Sequence, residues 1–306
     1  MTVYCRANEG GINMGLSYTQ KKRIQPYMLL FPAFFIVLLL TISPLVTLVK
    51  ASLYDIRLGE RFEDADFVGL SNYKKIVIDG SLGLSLKRTI LYIGGTTIPE
   101  LLLGFGIALL IHRKGIIGKN LAVSCFIIPM IMMPSMIGLV WRLYYTYDGL
   151  VNYILKLLFG VKLNWYSTEL ALPAAIIVDI WEWTPFFILV ILAGLQSLPL
   201  QPYEAAKVDG ASAWQTFKYI TLPLLKPAVL VAYMLRLMDA FRLFEVIFVL
   251  FGGGPGRATE ILPIYIYRLS LVQRQFGKGS AASIILIIII LSLVTLLFRS
   301  IRRSTQ

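Results

Sequence analysis

Apolar segments long enough to cross a lipid bilayer recur six times along this 306-residue chain. They cover residues 27–49, 89–111, 121–145, 172–195, 224–251 and 281–301. About 20 apolar residues in a helix span the hydrocarbon core, where a helix is favoured because it bonds every backbone N–H and C=O internally. Hydrophobic residues make up 57% and charged residues 15% of the chain, against roughly 45–50% and 25% in soluble domains. The sequence therefore predicts an all-α, polytopic integral membrane bundle with six transmembrane helices.

The formal net charge of +12 does not by itself indicate nucleic-acid binding. Lys and Arg are distributed among the segment ends, for example in residues 21–23, 113–119 and 299–303, and they form no single basic stripe. Anionic lipid and the charge bias of membrane topology explain this distribution better. We therefore predict contact with membrane lipid and no nucleic-acid partner.

Few residues in the chain suit catalysis or metal binding. Cys5 and Cys125 lie far apart and His112 is the only histidine, so no set of these residues has metal-ligand spacing. The glycine-rich residues 252–257 lack the Gly-Lys-Ser/Thr of a phosphate-binding P-loop, and we predict a sharp external turn there. The sequence thus predicts no catalytic residue, no metal, no cofactor and no ATP site of its own, and the chain is not expected to be an enzyme.

A polar stretch, residues 203–226, separates the fourth and fifth apolar segments. Strong helix formers follow Pro202, Gly210 breaks this helix, and Pro223 marks the end of a second, amphipathic run. The apolar side of that run consists of Ala211, Trp214, Phe217 and Ile220. This pattern predicts a helix, a turn and a helix held at the membrane surface, with aromatic side chains that fit a groove on a partner.

The same stretch resembles the cytoplasmic EAA loop of binding-protein-dependent ABC transporter permeases. That loop reads Glu-Ala-Ala, three residues, Gly, nine residues, Ile, one residue, Leu-Pro, and every spacing is matched here. The resemblance implies an ABC importer type I permease fold, in which the loop docks into an ATPase subunit and passes its motion to the membrane helices. The implied ATPase-coupling residues are Glu204, Ala205, Ala206, Asp209, Gly210, Ile220, Leu222 and Pro223.

Further motifs resemble the carbohydrate-uptake branch of these permeases, and its first permease subunit more than its second. Residues 67–73 read FVGLSNY, similar to the F-V-G-L-x-N-Y signature of sugar-type permeases. Later matches keep the family's order at residues 149–152, 193–196, 253–255, 259, 265–268, 277 and 280–282. The resemblance covers about residues 26 to 300, nearly the whole chain.

The domain organisation follows from the apolar segments and the resemblance. Residues 1–25 are predicted to form a cytoplasmic tail, residues 26–300 the transmembrane domain with its EAA loop at 203–226, and residues 301–306 a second cytoplasmic tail. An even number of spans places both termini on one side. Lys and Arg are divided almost evenly between the two sides, so the orientation rests mainly on the resemblance, which implies a bacterial or archaeal cell (inner) membrane.

Ionisable side chains within the apolar segments are a further signal, because a charge at membrane depth is costly and usually faces the bundle interior or a water-filled path. Asp179 and Glu182 in the fourth segment are three residues apart, as are Arg236 and Asp239 in the fifth, so each pair shares a helix face. A third pair with this spacing is Arg242 and Glu245. Such residues either bind solute or fix helix packing as ion pairs, and the sequence leaves both readings open.

Aromatic residues beside these charges suit a sugar, since aromatic faces cover the C–H surface of a pyranose and charged groups bond its hydroxyls directionally. In the family, the solute site lies at mid-membrane on the spans that flank the EAA loop. The implied substrate-binding residues are Trp181, Glu182, Phe186, Arg236 and Asp239. Asp and Arg are more ionic than is usual at this position, which leaves polyols, amino sugars and phosphorylated sugars open.

The resemblance implies a permease subunit of an ATP-driven importer for a sugar or sugar-like solute of the oligosaccharide, polyol or glycerol-phosphate type. Its implied partners are a second permease subunit, two ATP-binding subunits and an extracytoplasmic solute-binding protein. The other classes considered are an ABC permease for a non-sugar solute, a secondary transporter driven by an ion gradient, and a membrane enzyme or assembly protein. A secondary transporter commonly has repeated halves, and we find no convincing internal repeat.

Overall fold

The described part of the chain is almost entirely helical. A computed structural model describes the backbone of residues 18–113 and 118–304, and the side chains of residues 30–113, 118–119 and 121–299. In chain order, the elements are α1 Tyr18–Ser52, β1 Tyr54–Asp55, β2 Asp66–Phe67, α2 Ser71–Ile78, α3 Ser81–His112, α4 Lys119–Ile131, α5 Pro134–Tyr144, α6 Leu150–Phe159, α7 Ala171–Ser197, α8 Gln201–Val208, α9 Ala213–Thr216, α10 Leu222–Ala240, α11 Glu245–Phe251, α12 Leu262–Tyr267 and α13 Phe276–Ser304. Residues Phe217–Thr221 and Arg268–Val272 are π-helical. The all-α prediction is confirmed.

The chain divides into two compact units, Met1–Lys50 and Ala51–Gln306. The described part of the first unit is helical and belongs to α1, which begins at Tyr18, inside the tail predicted for residues 1–25. Residues 1–17, with Cys5, lie outside the described residues. In the second unit, α13 continues through Ser304, so the helix extends into the C-terminal tail predicted for residues 301–306.

By length and composition, five helical segments of the described chain can cross a membrane. They are Leu30–Ser52, Ser81–His112, Ala171–Ser197, Ala213–Ala240 and Phe276–Arg299. The third predicted span, residues 121–145, is broken into two helices, because Leu121–Ile131 and Pro134–Tyr144 meet at an angle of 97°. Pro134 lacks a backbone N–H and disfavours helical geometry at the residue before it, and Met133 is accordingly extended. Counting this bent pair as one span gives six.

The predicted fifth span, residues 224–251, is also interrupted. Helix α10 ends at Ala240 and α11 begins at Glu245. Around the break, the Phe244 ring stacks 4.8 Å from Phe248 and 5.2 Å from Tyr267, and this aromatic packing stabilises the change of direction. Arg242 therefore lies between two helices, and the predicted pair with Glu245 is wrong: both side chains are exposed, and no ion pair joins them in the described structure.

Helix α7 forms the centre of the second unit and packs along α3 and α10. It runs parallel to α3, because Gly95 lies against Ile176 and Gly104 against Phe187. Helix α10 runs antiparallel to both. One buried cluster joins Tyr92, Ala175 and Ala240, and another joins Ala108, Leu192 and Leu225. Residues 198–221 therefore lie at one end of the bundle, the loop end, whereas the β1–β2 hairpin and residues 241–275 lie at the other, the hairpin end.

The glycine-rich segment after α11 is a turn, as predicted. Gly252, Gly253 and Gly256 have positive φ angles, which glycine adopts without steric cost. The turn leads to Glu260, whose side chain is fully buried and accepts hydrogen bonds from Arg257 Nε at 2.7 Å. Glu260 also pairs with Arg268 Nη1 at 2.6 Å. The hydrogen bond with Glu260 raises the pKa of the Arg257 guanidinium. Hydrogen bonds from Arg257 Nη1 to Ser81 Oγ and from Ser85 Oγ to Glu260 hold the turn against the start of α3.

The close approach of α3 and α7 predicts a sharp difference between two glycines of α3. A Cβ at Gly104 would overlap Phe187, whereas a Cβ at Gly106 meets no atom within 4 Å. Gly104→Ala should destabilise the protein by about 1–3 kcal/mol through overpacking, and Gly106→Ala should be neutral because alanine favours the helix. The thermal midpoints of the two purified variants in detergent measure this. Equal midpoints would contradict the packing described.

Candidate functional site

Arg236 lies at the centre of a buried charge cluster that joins three helices. From α10, its Nε donates to Glu100 Oε2 at 2.8 Å and its Nη2 donates to Glu100 Oε1 at 2.9 Å. Nη2 also donates to Asp179 Oδ2 on α7. The three side chains are almost completely buried. Because α3, α7 and α10 each contribute one member, these contacts fix the relative positions of the three helices.

Glu100 is a member of this cluster that was not predicted from the sequence. It lies inside α3, the second predicted span, and follows Pro99. A lone carboxylate in an apolar segment is the sequence feature that could have identified Glu100, because such a group must pair with a cation or bind a proton inside the bundle. Spacing within one segment pointed instead to Asp239 as the partner of Arg236. In the structure, Asp239 Oδ2 is 3.6 Å from Arg236 Nη1 and its side chain is 43% exposed.

Glu182 and two aromatic residues complete the cluster on α7. Glu182 is buried, and the Trp183 ring lies 4.6 Å from the Arg236 guanidinium carbon, a distance typical of a cation–π contact. Phe186 packs against Trp183, with 6.2 Å between their ring centroids. Positions 179, 182, 183 and 186 share one face of α7. The structure thus brings together Glu182, Phe186, Arg236 and Asp239 of the predicted substrate-binding set.

Trp181 lies apart from the rest of the predicted set. Two residues beyond Asp179, it is rotated by about 200° around α7, and it contacts Trp141 of α5 edge to face at 5.6 Å. Its side chain is 39% exposed. The prediction that Trp181 and Glu182 act together on one solute therefore requires a solute that reaches two faces of α7.

The cluster contains more negative than positive groups. Glu100, Asp179, Glu182 and Asp239 carry four carboxyls, and Arg236 carries one guanidinium. Within the cluster, the buried charged side chains include three atoms without a hydrogen-bond partner in the described structure: Asp179 Oδ1, Glu182 Oε2 and Arg236 Nη1. Such atoms can bond a polar ligand, because buried polar groups are normally hydrogen-bonded. Within the described residues, no three His, Cys, Asp or Glu side chains are placed to hold a metal ion.

The EAA loop at the loop end has the predicted helix, turn and helix. Helix α8 ends beside Gly210, whose φ angle of 71° lies in the left-handed region that favours glycine. Ser212 then caps α9 and forms a capping box with Gln215. The Tyr203 hydroxyl donates to Thr221 Oγ1 at 3.0 Å and ties the two arms together. Gly210, which the sequence predicted to break the first helix, therefore forms the turn.

The sequence predicted that the second arm of the loop ends at Pro223, and this prediction is wrong. From Ala213, the helix runs through the π-helical residues Phe217–Thr221 into α10 and forms one continuous segment to Ala240. Pro223 lies just after the π-helical residues, at the start of α10, and does not end the helix. The loop and the span that carries Arg236 are thus one helical rod.

The loop exposes a surface on one side and contacts the bundle on the other. Trp214 and Tyr219 are 68% and 67% exposed, while Phe217 packs edge to face on Phe105 of α3 at 5.8 Å. A hollow of about 340 Å³ is lined by Asp209, Gly210, Ala211, Gln215, Thr216, Tyr219 and Ile220. Of the EAA residues, Ala206 is buried and Glu204, Ala205, Asp209 and Gly210 are exposed. Leu222 and Pro223 are exposed on α10, and Ile220 is half-buried.

Comparison with known proteins decides the family of this chain. The sequence pattern of the "Binding-protein-dependent transport system inner membrane component" family matches residues 100–304, which include the charge cluster and the EAA loop. The chain belongs to this family. It is therefore an inner-membrane component of a transport system, and the family prediction made from the EAA motif is confirmed.

Relatives within the family transport sugars, according to their names. The chain is 37% identical over 271 residues to the trehalose/maltose transport system permease protein MalF of Thermococcus litoralis, with 87% of this chain and 90% of the relative covered. It is 32% identical over 282 residues to the sulfoquinovosyl glycerol transport system permease protein SmoG of Agrobacterium fabrum, with 92% and 91% covered. These relatives are transport permeases.

A solved structure of a bacterial ABC transporter that imports the acidic polysaccharide alginate has the same fold. Its matching chain superposes with a TM-score of 0.81 over 94% of this chain and 99% of that chain, at 22% sequence identity. This likeness confirms the predicted polytopic helical bundle of an ABC importer permease.

The charge cluster predicts an asymmetric response to removal of its members. Arg236→Met should lower stability by about 3–5 kcal/mol, because it leaves Glu100 and Asp179 buried without a cation. Asp239→Asn should cost less than about 1 kcal/mol, because that carboxylate is partly exposed and its 3.6 Å contact with Arg236 is longer than the hydrogen bonds that Arg236 donates to Glu100. Thermal midpoints of the purified variants measure both effects.

A triple variant controls for the size change at position 236. Arg236→Met combined with Glu100→Gln and Asp179→Asn removes the uncompensated charges and should recover much of the lost stability, since effects within one network are not additive. If Asp239→Asn destabilised the protein as much as Arg236→Met, the assignment of Glu100 and Asp179 as the main partners would be wrong.

Proposed function

We propose that the chain is the membrane-spanning permease subunit of an ATP-driven importer for a sugar or sugar-like solute. The observation that carries this proposal is the EAA loop: the second arm, after the exposed turn at Gly210, continues from Ala213 as one helix into α10, which bears Arg236. An ATPase subunit that pushes on Trp214 and Tyr219 therefore acts directly on a helix of the charge cluster. This connection would have no use in a carrier driven only by an ion gradient.

The solute class rests on the relatives and on the chemistry of the cluster. Trehalose, maltose and sulfoquinovosyl glycerol, named for the relatives above, are polyhydroxylated. Hydroxyls both donate and accept hydrogen bonds, so they can satisfy the unpartnered carboxylate oxygens and the unpartnered Arg236 nitrogen together. Trp183 and Phe186 supply aromatic faces on the same side of α7. We propose a neutral or weakly charged sugar-like solute.

The five predicted substrate-binding residues divide into three groups under this proposal. Asp239 and Trp181 are partly exposed and can contact solute as it passes. Arg236 has two of its three nitrogens engaged by Glu100 and Asp179, so its main role is to hold the three helices in position. Glu182 and Phe186 lie on the α7 face that carries Asp179 and line the passage when the bundle opens.

The proposed assembly contains a second permease subunit, two ATP-binding subunits at the loop end and an extracytoplasmic solute-binding protein at the hairpin end. The alginate importer has been crystallised with a periplasmic protein that holds an alginate pentasaccharide, which supports the last of these partners. Both termini then lie in the cytoplasm, and ATP hydrolysis belongs to the partner subunits.

Reconstitution tests the function directly. The chain, co-purified with its permease and ATPase partners in proteoliposomes, should import a radiolabelled sugar only when ATP is enclosed with the ATPase subunits and the binding protein is outside. Uptake should persist when ionophores collapse ion gradients, and Trp181→Ala and Asp239→Ala should reduce it without loss of assembly. Uptake that stops with the gradients, or transport by this chain alone, would refute the proposal.

Gly210 gives a second test, confined to the loop. Its Cβ position meets no other atom of this chain, so a substitution there affects the fold of the loop only through the backbone. Gly210→Val should uncouple ATP hydrolysis from uptake, because valine strongly disfavours a φ of 71°. Gly210→Asn should retain more coupling, since asparagine tolerates the left-handed region. The ratio of sugar imported to ATP hydrolysed in the proteoliposomes measures this, and equal ratios for the two variants would exclude the turn as the reason.

A further inference from the structure

A polar cleft of about 690 Å³ opens at the hairpin end of the bundle, apart from the charge cluster. Its walls come from the segment after β1, from α2 and from the residues around the start of α13. Its lining residues are Asp55, Arg57, Leu58, Glu60, Lys75, Gln273, Arg274, Gln275 and Lys278. None of them belongs to α7 or α10, so the cleft is separate from the proposed solute passage.

Basic side chains in this cleft outnumber the carboxylates available to them. Asp55 pairs with Lys75 at 3.7 Å, and the Glu60 carboxylate accepts a hydrogen bond from the Arg57 backbone N–H at 2.8 Å. The remaining cationic groups belong to Arg57, Arg274 and Lys278. Within the described structure no carboxylate lies within ion-pair distance of these three. The cleft thus presents a surplus of positive charge.

The cleft is held rigidly by backbone hydrogen bonds across its floor. Leu58 N–H donates to the Arg274 carbonyl at 3.0 Å, and Gly277 N–H donates to the Ile56 carbonyl at 2.9 Å. Arg274 has a φ angle of 57°, a strained conformation for a residue with a Cβ, which persists only where the surroundings impose it. These hydrogen bonds fix the backbone position of Arg274, so its side chain extends from a defined point beside the cleft.

We propose that this cleft, defined by Arg57, Arg274 and Lys278, binds an acidic patch on the extracytoplasmic solute-binding protein. The proposal rests on the proposed function, which places the hairpin end outside the membrane. Complementary charge steers two proteins into one orientation and speeds their association. A lipid headgroup is a poorer fit, because the lining is polar or charged except for Leu58 and offers no wall for an acyl chain.

The test uses the whole complex in nanodiscs of phosphatidylcholine and the solute-loaded binding protein. Arg57→Glu with Lys278→Glu should raise the Kd for the binding protein on the order of tenfold at low salt and flatten its salt dependence. The matched control is Lys156→Glu, an exposed lysine of α6 at the same end of the bundle but outside the cleft, which should leave Kd unchanged. ATP hydrolysis without binding protein should be equal in all variants.

The Arg274→Gly variant removes the Arg274 charge while keeping the backbone conformation at this position, so it separates the two effects. Glycine suits a φ of 57°, so this variant should keep or raise the thermal midpoint and yet weaken binding several-fold. Wild-type Kd values in both cleft variants would overturn the proposal, as would an equal loss in Lys156→Glu. An effect seen only with anionic phosphatidylglycerol would assign the cleft to lipid, and altered solute affinity with unchanged Kd would assign it to an acidic solute. If the wild-type complex bound no such protein at all, the proposed function itself would fail.

Discussion

The arrangement of the bundle depends on a single guanidinium that serves two carboxylates from different helices. A charge of either sign inside an apolar bundle is costly, and its cost is offset only when partners are close and hydrogen-bonded. Arg236 meets that condition with Glu100 and Asp179. The net gain in stability from such a cluster is small, but any register in which one helix slides past the others leaves a charge unpaired. The main effect of the cluster is therefore to select one packing of α3, α7 and α10, and its contribution to the stability of that packing is smaller.

The two interrupted spans are parts of the same arrangement. The break before α5 and the break before α11 produce two short helices that pack together, with Gly138 of α5 close to Val249 of α11. Their contact buries Ile137, Val246 and Leu250 in one cluster. Each change of direction thus leaves a short helix whose apolar side is buried on the other short helix.

The sequence predicted the parts of this structure that depend on local chemistry. Apolar length located the spans, glycine located the turns at residues 210 and 252–256, and the fixed spacing of the EAA motif identified the loop. Contacts between distant segments were beyond this reasoning. Arg236 and Glu100 are 136 residues apart, and a search within one helix paired Arg236 with Asp239 instead. Proline was also ambiguous: Pro134 begins a new helix, whereas Pro185 lies within a continuous α7, and tertiary packing decides between these outcomes.

The helical continuity between the EAA loop and α10 has a mechanical consequence. Trp214 and Arg236 are 22 positions apart on one rod, a distance of about 33 Å at the α-helical rise. A tilt of such a rod about a pivot near its middle moves its two ends in opposite directions. The rigid contacts closest to the middle are those of Leu225 and Ala232 with α3 and α7, and they are suited to be a fulcrum. Inward displacement at the tip of the loop would then become outward displacement beside Asp179, as in a first-class lever.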